Sequence, residues 1–313
     1  MIRLGFELEL AYEVLDPDGA DFIFNIHAAR TQNQRVADES LVLDPPVAAE
    51  TVTDAATDTR FMRLHAGAGP FRLRYAATVD IDHHLAEPDT LAEVPVRHLP
   101  LDVMPYIYPS RYCQSDRLLK LAFNEFGSLW QGYSRVLAIQ HWIQKHVAFV
   151  SNSSDANTSA VDTLIEQVGV CRDFAHLMIA LCRALNIPAR IVTGTDYGAS
   201  PSLGPPDFHA YVEVYLGDRW YLFDASGTGI PMGFLRIGTG RDAADVAFAT
   251  IFGRVGVNAP VIRVVAVEGP GLQVPHHCRE ALSTSKATAP QGLAVDGAAA
   301  GTLARPSATQ RPD

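Results

Sequence analysis

Cys171 opens a run of residues whose types and order could perform nucleophilic chemistry: Gly169-Val170-Cys171-Arg172-Asp173-Phe174-Ala175-His176. Beyond it, Phe174, Leu177, Met178, Leu181, Cys182 and Leu185 recur at helical spacing, and Asn186-Ile187-Pro188 supply a stop. A thiol in the first turn of a helix feels the positive end of the helix dipole, which favours thiolate, the nucleophilic form. Two partners follow. His209 sits in the strand pattern of residues 207–216, Gly217-Asp218 reads as a turn, and Asp224 ends the return strand 219–224. With a two-residue turn, Leu216 pairs with Arg219, and the register carries Tyr211 opposite Asp224. His209, Tyr211 and Glu213 then share a face with Leu222 and Asp224. On that face His209 and Asp224 are diagonal neighbours, roughly 7 Å apart at the backbone. A slip of one residue would put them on opposite faces. A carboxylate that orients an imidazole, and an imidazole that serves a thiol, suit acyl transfer through a thioester.

Each of these residues has a plainer use. Free cysteine is commonly a small buried apolar residue, and Cys182, on the apolar stripe of the same helix, reads as core. A strand histidine is usually a hydrogen-bonded interior residue, and an aspartate at a strand end often starts a turn, here Ser226-Gly227. The joint spacing of Cys171, His209 and Asp224 separates the chemical reading from the plain one. His176 falls on another side of the helix from Cys171 and reads as a surface or interdomain residue. Asp173 suits the first turn of the helix electrostatically. Asp242 reads as a helix start, with Arg241 beside the cleft. His83-His84 and His276-His277-Cys278 each lack a second half at ligand spacing, so no metal is expected.

The elements that must position these residues are legible as patterns. Residues 1 to about 100 hold short alternating runs (RLGFELELAYEV, DFIFNIHAA, RVADESLVL, TRFMRLHA, FRLRYAATVDID) separated by turn residues such as Asp16-Pro17-Asp18-Gly19. They suggest an antiparallel sandwich. Pro95, Pro100, Pro105 and Pro109 mark a linker. Helices follow, one from Asp116 to Phe126, one capped by Ser134 and carrying Val136, Gln140, Ile143 and Val147, and one started by Thr158 or Ser159. After the Cys171 helix come strands near 189–194, 207–216 and 219–224, and another at 261–267. From about Ala281 the chain is rich in Ala, Gly, Ser, Thr and Pro and reads as disordered.

The segments GVCRDFAHLMIALCRALNIPAR, DFHAYVEVYLGDRWYLFDAS and GRDAADVAFATIFG together resemble the bacterial transglutaminase-like cysteine protease family. The likeness covers roughly residues 115 to 255, and residues 1 to 100 resemble the all-β domain that precedes the core in many members. The resemblance implies an α+β fold, a papain-like, transglutaminase-like core preceded by an antiparallel β-sandwich domain. The expected divisions are residues 1–100 for the all-β domain, 101–115 for the linker, 116–280 for the catalytic core and 281–313 for a disordered tail. It implies Cys171, His209 and Asp224 as the catalytic set, with no cofactor. A Pro-Thr pair often follows the aspartate in this superfamily; here Ala225-Ser226 stands there and leaves the carboxylate in place.

The function expected is cysteine-nucleophile acyl transfer on peptide or glutamine-type amides, by hydrolysis more than by cross-linking. The Cys171 backbone N–H can donate to the developing oxyanion, and Gln167 is a candidate second donor. The rival expectation is a non-catalytic peptide-binding module on the same fold. A net charge of −10 and the lack of a long basic run argue against nucleic acid or an anionic membrane as partner. The partner expected is a peptide or protein amide substrate. The sequence leaves the oligomeric state open. No apolar run is long enough to span a bilayer. The first residues alternate apolar and polar, unlike a signal peptide, and four scattered cysteines form no disulfide framework, so a cytoplasmic setting is expected.

Overall fold

A computed structural model describes residues 1–195 and 197–288. Seven strands come first: β1 (Ile2–Val14), β2 (Ala20–Phe24), β3 (Gln34–Asp44), β4 (Ala49–Thr53), β5 (Arg60–Ala66), β6 (Gly69–Ile81) and β7 (His84–Ala86). β1 and β6 pair along their whole lengths and β3 pairs with β6. β2, β5 and β4 form a second antiparallel sheet. Strict alternation along β1 buries Ile2, Leu4, Phe6, Leu8, Leu10, Tyr12 and Val14 on one face. That face meets the second sheet through Tyr12, Phe22, Phe24 and Phe71, whose rings pack 5.2–6.5 Å apart.

The helical part follows. Helix α1 (Ser115–Phe126) and α2 (Tyr133–His146) lead to strand β8 (Ala148–Phe149). Helix α3 (Ala160–Glu166) then leads to strand β9 (Val168–Gly169), which pairs in parallel with β8. The cap of α3 is Ser159, whose N–H and hydroxyl both donate to Asp162 three residues on. Helix α4 (Cys171–Ala184) is buried from Asp173 to its end. It is the central element of the core, packed against α1, α2, α3 and the sheet that follows.

That sheet is antiparallel, in the order β12 (Arg219–Phe223), β11 (Phe208–Leu216), β10 (Ala189–Thr195) and β13 (Arg236–Gly240). One face carries Ala189, Ile191, Ala210, Val212, Val214, Leu216, Tyr221 and Phe223 into the helix layer. The other carries Val192, Tyr211 and Leu222 into the same apolar cluster as the N-terminal strands. Strands β14 (Ala249–Phe252), β15 (Val255–Val257) and β16 (Val261–Ala266) then return to the N-terminal sheets, β14 beside β2 and β15 and β16 beside β1.

Two expected boundaries are corrected here. Residues 249–266 fall inside the span expected for the catalytic core, yet they complete the N-terminal sheets. The unpaired edges of β1 and β2 need backbone partners, and these strands supply them. The tail expected from 281 begins with strand β17 (Ala281–Ser283), which pairs with β7 and buries Ala281, Leu282, Ser283 and Thr284. The remainder of that tail, 289–313, lies outside the described residues. Among the described residues no helix is long and apolar enough to cross a membrane.

Candidate active site

Four residues set the position of the Cys171 thiol. A side-chain carbon on Gly169 would lie 2.9 Å from Cβ of Asp173, so only glycine lets the chain pass there. Asp173 is fully buried and its Oδ2 accepts the Val170 N–H at 2.9 Å, closing the first turn of α4. The other oxygen, Oδ1, accepts from the Arg172 guanidinium at 3.0 Å. Arg172 also donates to the Asp155 carbonyl and to Ser154 Oγ, tying the loop ahead of α3 to this helix start. The result is a half-buried thiol whose sulfur lies 3.9 Å from the Phe208 carbonyl oxygen.

His209 follows Phe208 on β11 and is buried opposite Gly194 of β10. A side chain at Gly194 would strike the Leu235 carbonyl 2.0 Å away, so the backbone of residues 234–235 passes directly over this point. Nε2 of His209 lies 3.3 Å from Asp224 Oδ1, and the ring meets Tyr211 edge-on, with centroids 4.5 Å apart. Burial alone would lower the imidazole pKa. The charges of Asp224 and then Cys171, with hydrogen bonds to both, overcome it and hold the pKa well above the ordinary histidine value. Since Nε2 faces Asp224, Nδ1 is the nitrogen left for the thiol.

The hairpin register is the one the two-residue turn requires. Leu216 pairs with Arg219 and Val212 with Phe223, a ladder whose next step sets Tyr211 opposite Asp224. Asp224 is buried and its carboxylate is held from three sides. Oδ1 accepts the Ser226 hydroxyl at 2.7 Å and the Ser226 N–H at 3.1 Å, while Oδ2 accepts the Gly229 N–H at 2.8 Å. Burial would raise the carboxyl pKa. The His209 charge and hydrogen bond, with the Gly229 and Ser226 donors, hold it below the usual range instead. Ser226 is a positioning residue that pattern reading passed over as turn composition. The signal was present: an aspartate two residues before a serine forms an Asx turn.

The expectations for His176 and Asp242 are corrected. His176 is no surface residue. It is fully buried, stacks on Tyr112 with centroids 4.9 Å apart, and accepts the Ala243 N–H at Nε2. Desolvation lowers its pKa and keeps it neutral, which suits an accepting nitrogen. Asp242 starts no helix. Its buried carboxylate accepts the N–H groups of Tyr112 and Ala244 and so ties the segment before α1 to the chain after β13. Arg241 pairs with Asp245 at 3.0 Å on the surface. Gln167 closes α3 at a positive φ of 57°, and its exposed side chain makes no hydrogen bond among the described residues. Cys182 is fully buried and desolvation raises its thiol pKa; desolvation likewise pushes Cys113 up to about 12. Among the described residues no group of three His, Cys, Asp or Glu side chains stands together as a metal site.

A thiol at a helix start, coupled to an imidazole that is itself held by a buried carboxylate, can attack a carbonyl and return a proton to a leaving group. The chain is similar in sequence and fold to known proteins. Residues 124–225 match the transglutaminase-like superfamily, and residues 3–102 match the bacterial transglutaminase N-terminal domain. A crystal structure from Cytophaga hutchinsonii, described as a "putative cysteine protease", is 42% identical with a TM-score of 0.84, covering 90% of this chain and 97% of that one. An uncharacterized protein of Mycobacterium leprae is 28% identical over 116 residues, 36% of this chain and 42% of its own. One from Mycobacterium tuberculosis is 32% identical over 107 residues, 31% of this chain and 34% of its own. The matches thus span less than half the length of these mycobacterial relatives. The chain belongs to the transglutaminase-like superfamily and carries that superfamily's bacterial N-terminal domain ahead of the core.

Proposed function

We propose that the chain cleaves peptide or glutamine-type amides by acyl transfer through a thioester on Cys171, with water as the usual acceptor. The sulfur of Cys171 attacks the amide carbonyl. The His209 imidazolium gives its proton to the departing amine or ammonia, and the same ring then takes a proton from the incoming water. Asp224 fixes the ring orientation and stabilises its protonated form. The Cys171 N–H, free at the start of α4, faces the developing oxyanion.

The observation that carries this reading is the buried His209–Asp224 pair, 3.3 Å apart, coupled through the other face of the ring to the half-buried thiol. Hydrolysis is favoured by the 42% identical neighbour, described as a "putative cysteine protease". The test is alkylation of the native protein by iodoacetamide near neutral pH with peptide mapping of the modified cysteine. Fast labelling confined to Cys171 is expected; a thiol no faster than a free model thiol points to a peptide-binding module. Adding a primary amine during turnover of a reporter amide separates the two acceptors. Product is expected to remain mainly the acid, and a predominantly amine-linked product would make the protein a cross-linking enzyme.

A further inference from the structure

Three carboxylates stand close to the thiol in sequence and fold, and two of them have a cation. Asp173 has Arg172 and Asp224 has His209. The third, Asp207, has none within 4.0 Å among the described residues. It directly precedes Phe208, whose carbonyl touches the Cys171 sulfur, and it lies two residues before His209. Asp207 lies one residue ahead of β11, and the charge of His209 reaches its carboxyl group, so it stands near the imidazole at the start of that strand. Its Oδ1 accepts the Phe208 N–H at 2.7 Å, which fixes the carboxylate against the residue whose carbonyl meets the Cys171 sulfur and leaves Oδ2 for another donor. The residue is exposed, yet the protein beneath it raises its pKa by desolvation, with the Phe208 N–H and the His209 charge acting the other way. An unpaired carboxylate beside a nucleophile repels anionic substrates and attracts cationic ones.

Resting on the acyl-transfer reading above, we propose that Asp207 is a specificity-determining residue that selects an aliphatic ammonium next to the reacting carbonyl. The ammonium has two possible sources, a basic side chain on the substrate peptide or a free alkylamine. A carboxylate–ammonium contact at ~4 Å in water corresponds to about a fivefold preference, which added salt weakens.

Paired probes of Cys171 test this without knowledge of the substrate. Lysyl and norleucyl chloromethyl ketones read a side-chain cation. Aminoethyl and methyl methanethiosulfonates read a small free amine. In at least one pair the cationic probe is expected to react about 3–10-fold faster than the wild-type reactivity of its neutral partner, after correction with a free thiol. Asp207→Asn keeps an oxygen for the Phe208 N–H and should bring that ratio to within twofold of one. Asp207→Glu should restore it, and Asp18→Asn, in the exposed turn after β1, should leave it as in wild type. No cationic preference in either pair, or one that survives Asp207→Asn, overturns the proposal. Failure of every probe to label Cys171 would instead remove the nucleophile, and with it the acyl-transfer reading on which this rests.

Discussion

Along β11, Ala210, Val212, Val214 and Leu216 point into the helix layer, whereas His209, Tyr211 and Glu213 point away from it. The first face is apolar throughout. The second is polar and specific: Glu213 is fully buried between Arg190 of β10 and Arg236 of β13, and Arg236 also reaches Thr239 and Thr284. Gln34 of β3 exchanges hydrogen bonds with the Arg236 backbone across the boundary, its Oε1 accepting the N–H and its amide donating to the carbonyl. The two faces answer to different rules. The helix face needs volume and hydrophobicity, which many residues supply. The opposite face needs particular donors and acceptors in register, and loss of one partner strands the other in a low-dielectric interior. The imidazole lies on the second face against Tyr211, which belongs to the apolar cluster of the N-terminal strands.

Substitutions on the two faces should therefore fail differently. The largest effect is expected at the thiol, which belongs to α4 but serves the polar face. Cys171→Ala should reduce turnover to background while the melting temperature changes little, since the helix start accepts a small residue. Retained turnover would remove sulfur from the mechanism. Next comes Asp224→Ala, expected to lower the rate by about 10²–10⁴-fold because the carboxylate orients the ring and does not itself react. Asp224→Asn should keep the Ser226 and Gly229 contacts in part and yet favour the wrong tautomer. An unchanged rate in both variants would mean that Ser226 and Gly229 hold a turn and nothing more.

Glu213→Ala separates stability from chemistry on the same face. It leaves the buried Arg236 guanidinium and the partly buried one of Arg190 without their shared carboxylate and should cost about 3–5 kcal/mol in urea unfolding. Burial would raise the Glu213 pKa, but Arg190 and Arg236 lower it to about 2. A depressed pKa contributes stability above the unfolded value and loses it as pH falls. The wild type should then lose stability relative to Glu213→Gln between about pH 4.5 and pH 2. His209 has the opposite sign: its raised pKa contributes stability at low pH that fades as pH rises past about 6.5. A flat difference between wild type and Glu213→Gln across the acid range would show that the arginines find other partners.

The hairpin register was readable because a two-residue turn leaves one pairing, and the thiol because an apolar run of helical period begins beside it. Other parts were hidden for physical reasons. Strand β4 (AETVT) is exposed on both faces and shows no alternation. Strand β13 (RIGTG) has two glycines where chain passes close by, so its composition resembles a loop. His176 looked like a surface or interdomain residue because α4 was read as one-sided. From Asp173 on the helix is buried all round, and its polar side chains find backbone partners: His176 the Ala243 N–H, and Arg183 the Ala189 and Arg241 carbonyls. Strand β17 was masked by the small polar residues around it. A chain ending at Glu280 should lose about 2–4 kcal/mol. It would lack the β7–β17 pairing, the Ser285 hydroxyl donated to Glu213 and the Thr284 hydroxyl bonded to Arg236. Full stability in that truncation would show the polar face to be complete without its last strand.

The smallest effect expected is on the helix face. Cys182 follows Cys171 along the same helix, but it is fully buried among apolar side chains and is one of the residues that fill the layer between helix and sheet. Cys182→Ala removes a single sulfur from that layer and should cost about 1–3 kcal/mol, with labelling of Cys171 unaffected. Cys182→Ser has nearly the same volume but places a hydroxyl where an apolar surface was, and should cost more than alanine unless the hydroxyl finds a helical carbonyl one turn back. That order distinguishes a face governed by polarity and volume from one governed by paired contacts. If Cys182→Ala instead abolished labelling of Cys171 at unchanged stability, the two thiols would be coupled, and the division of the sheet into a filling face and a working face would fail at its centre.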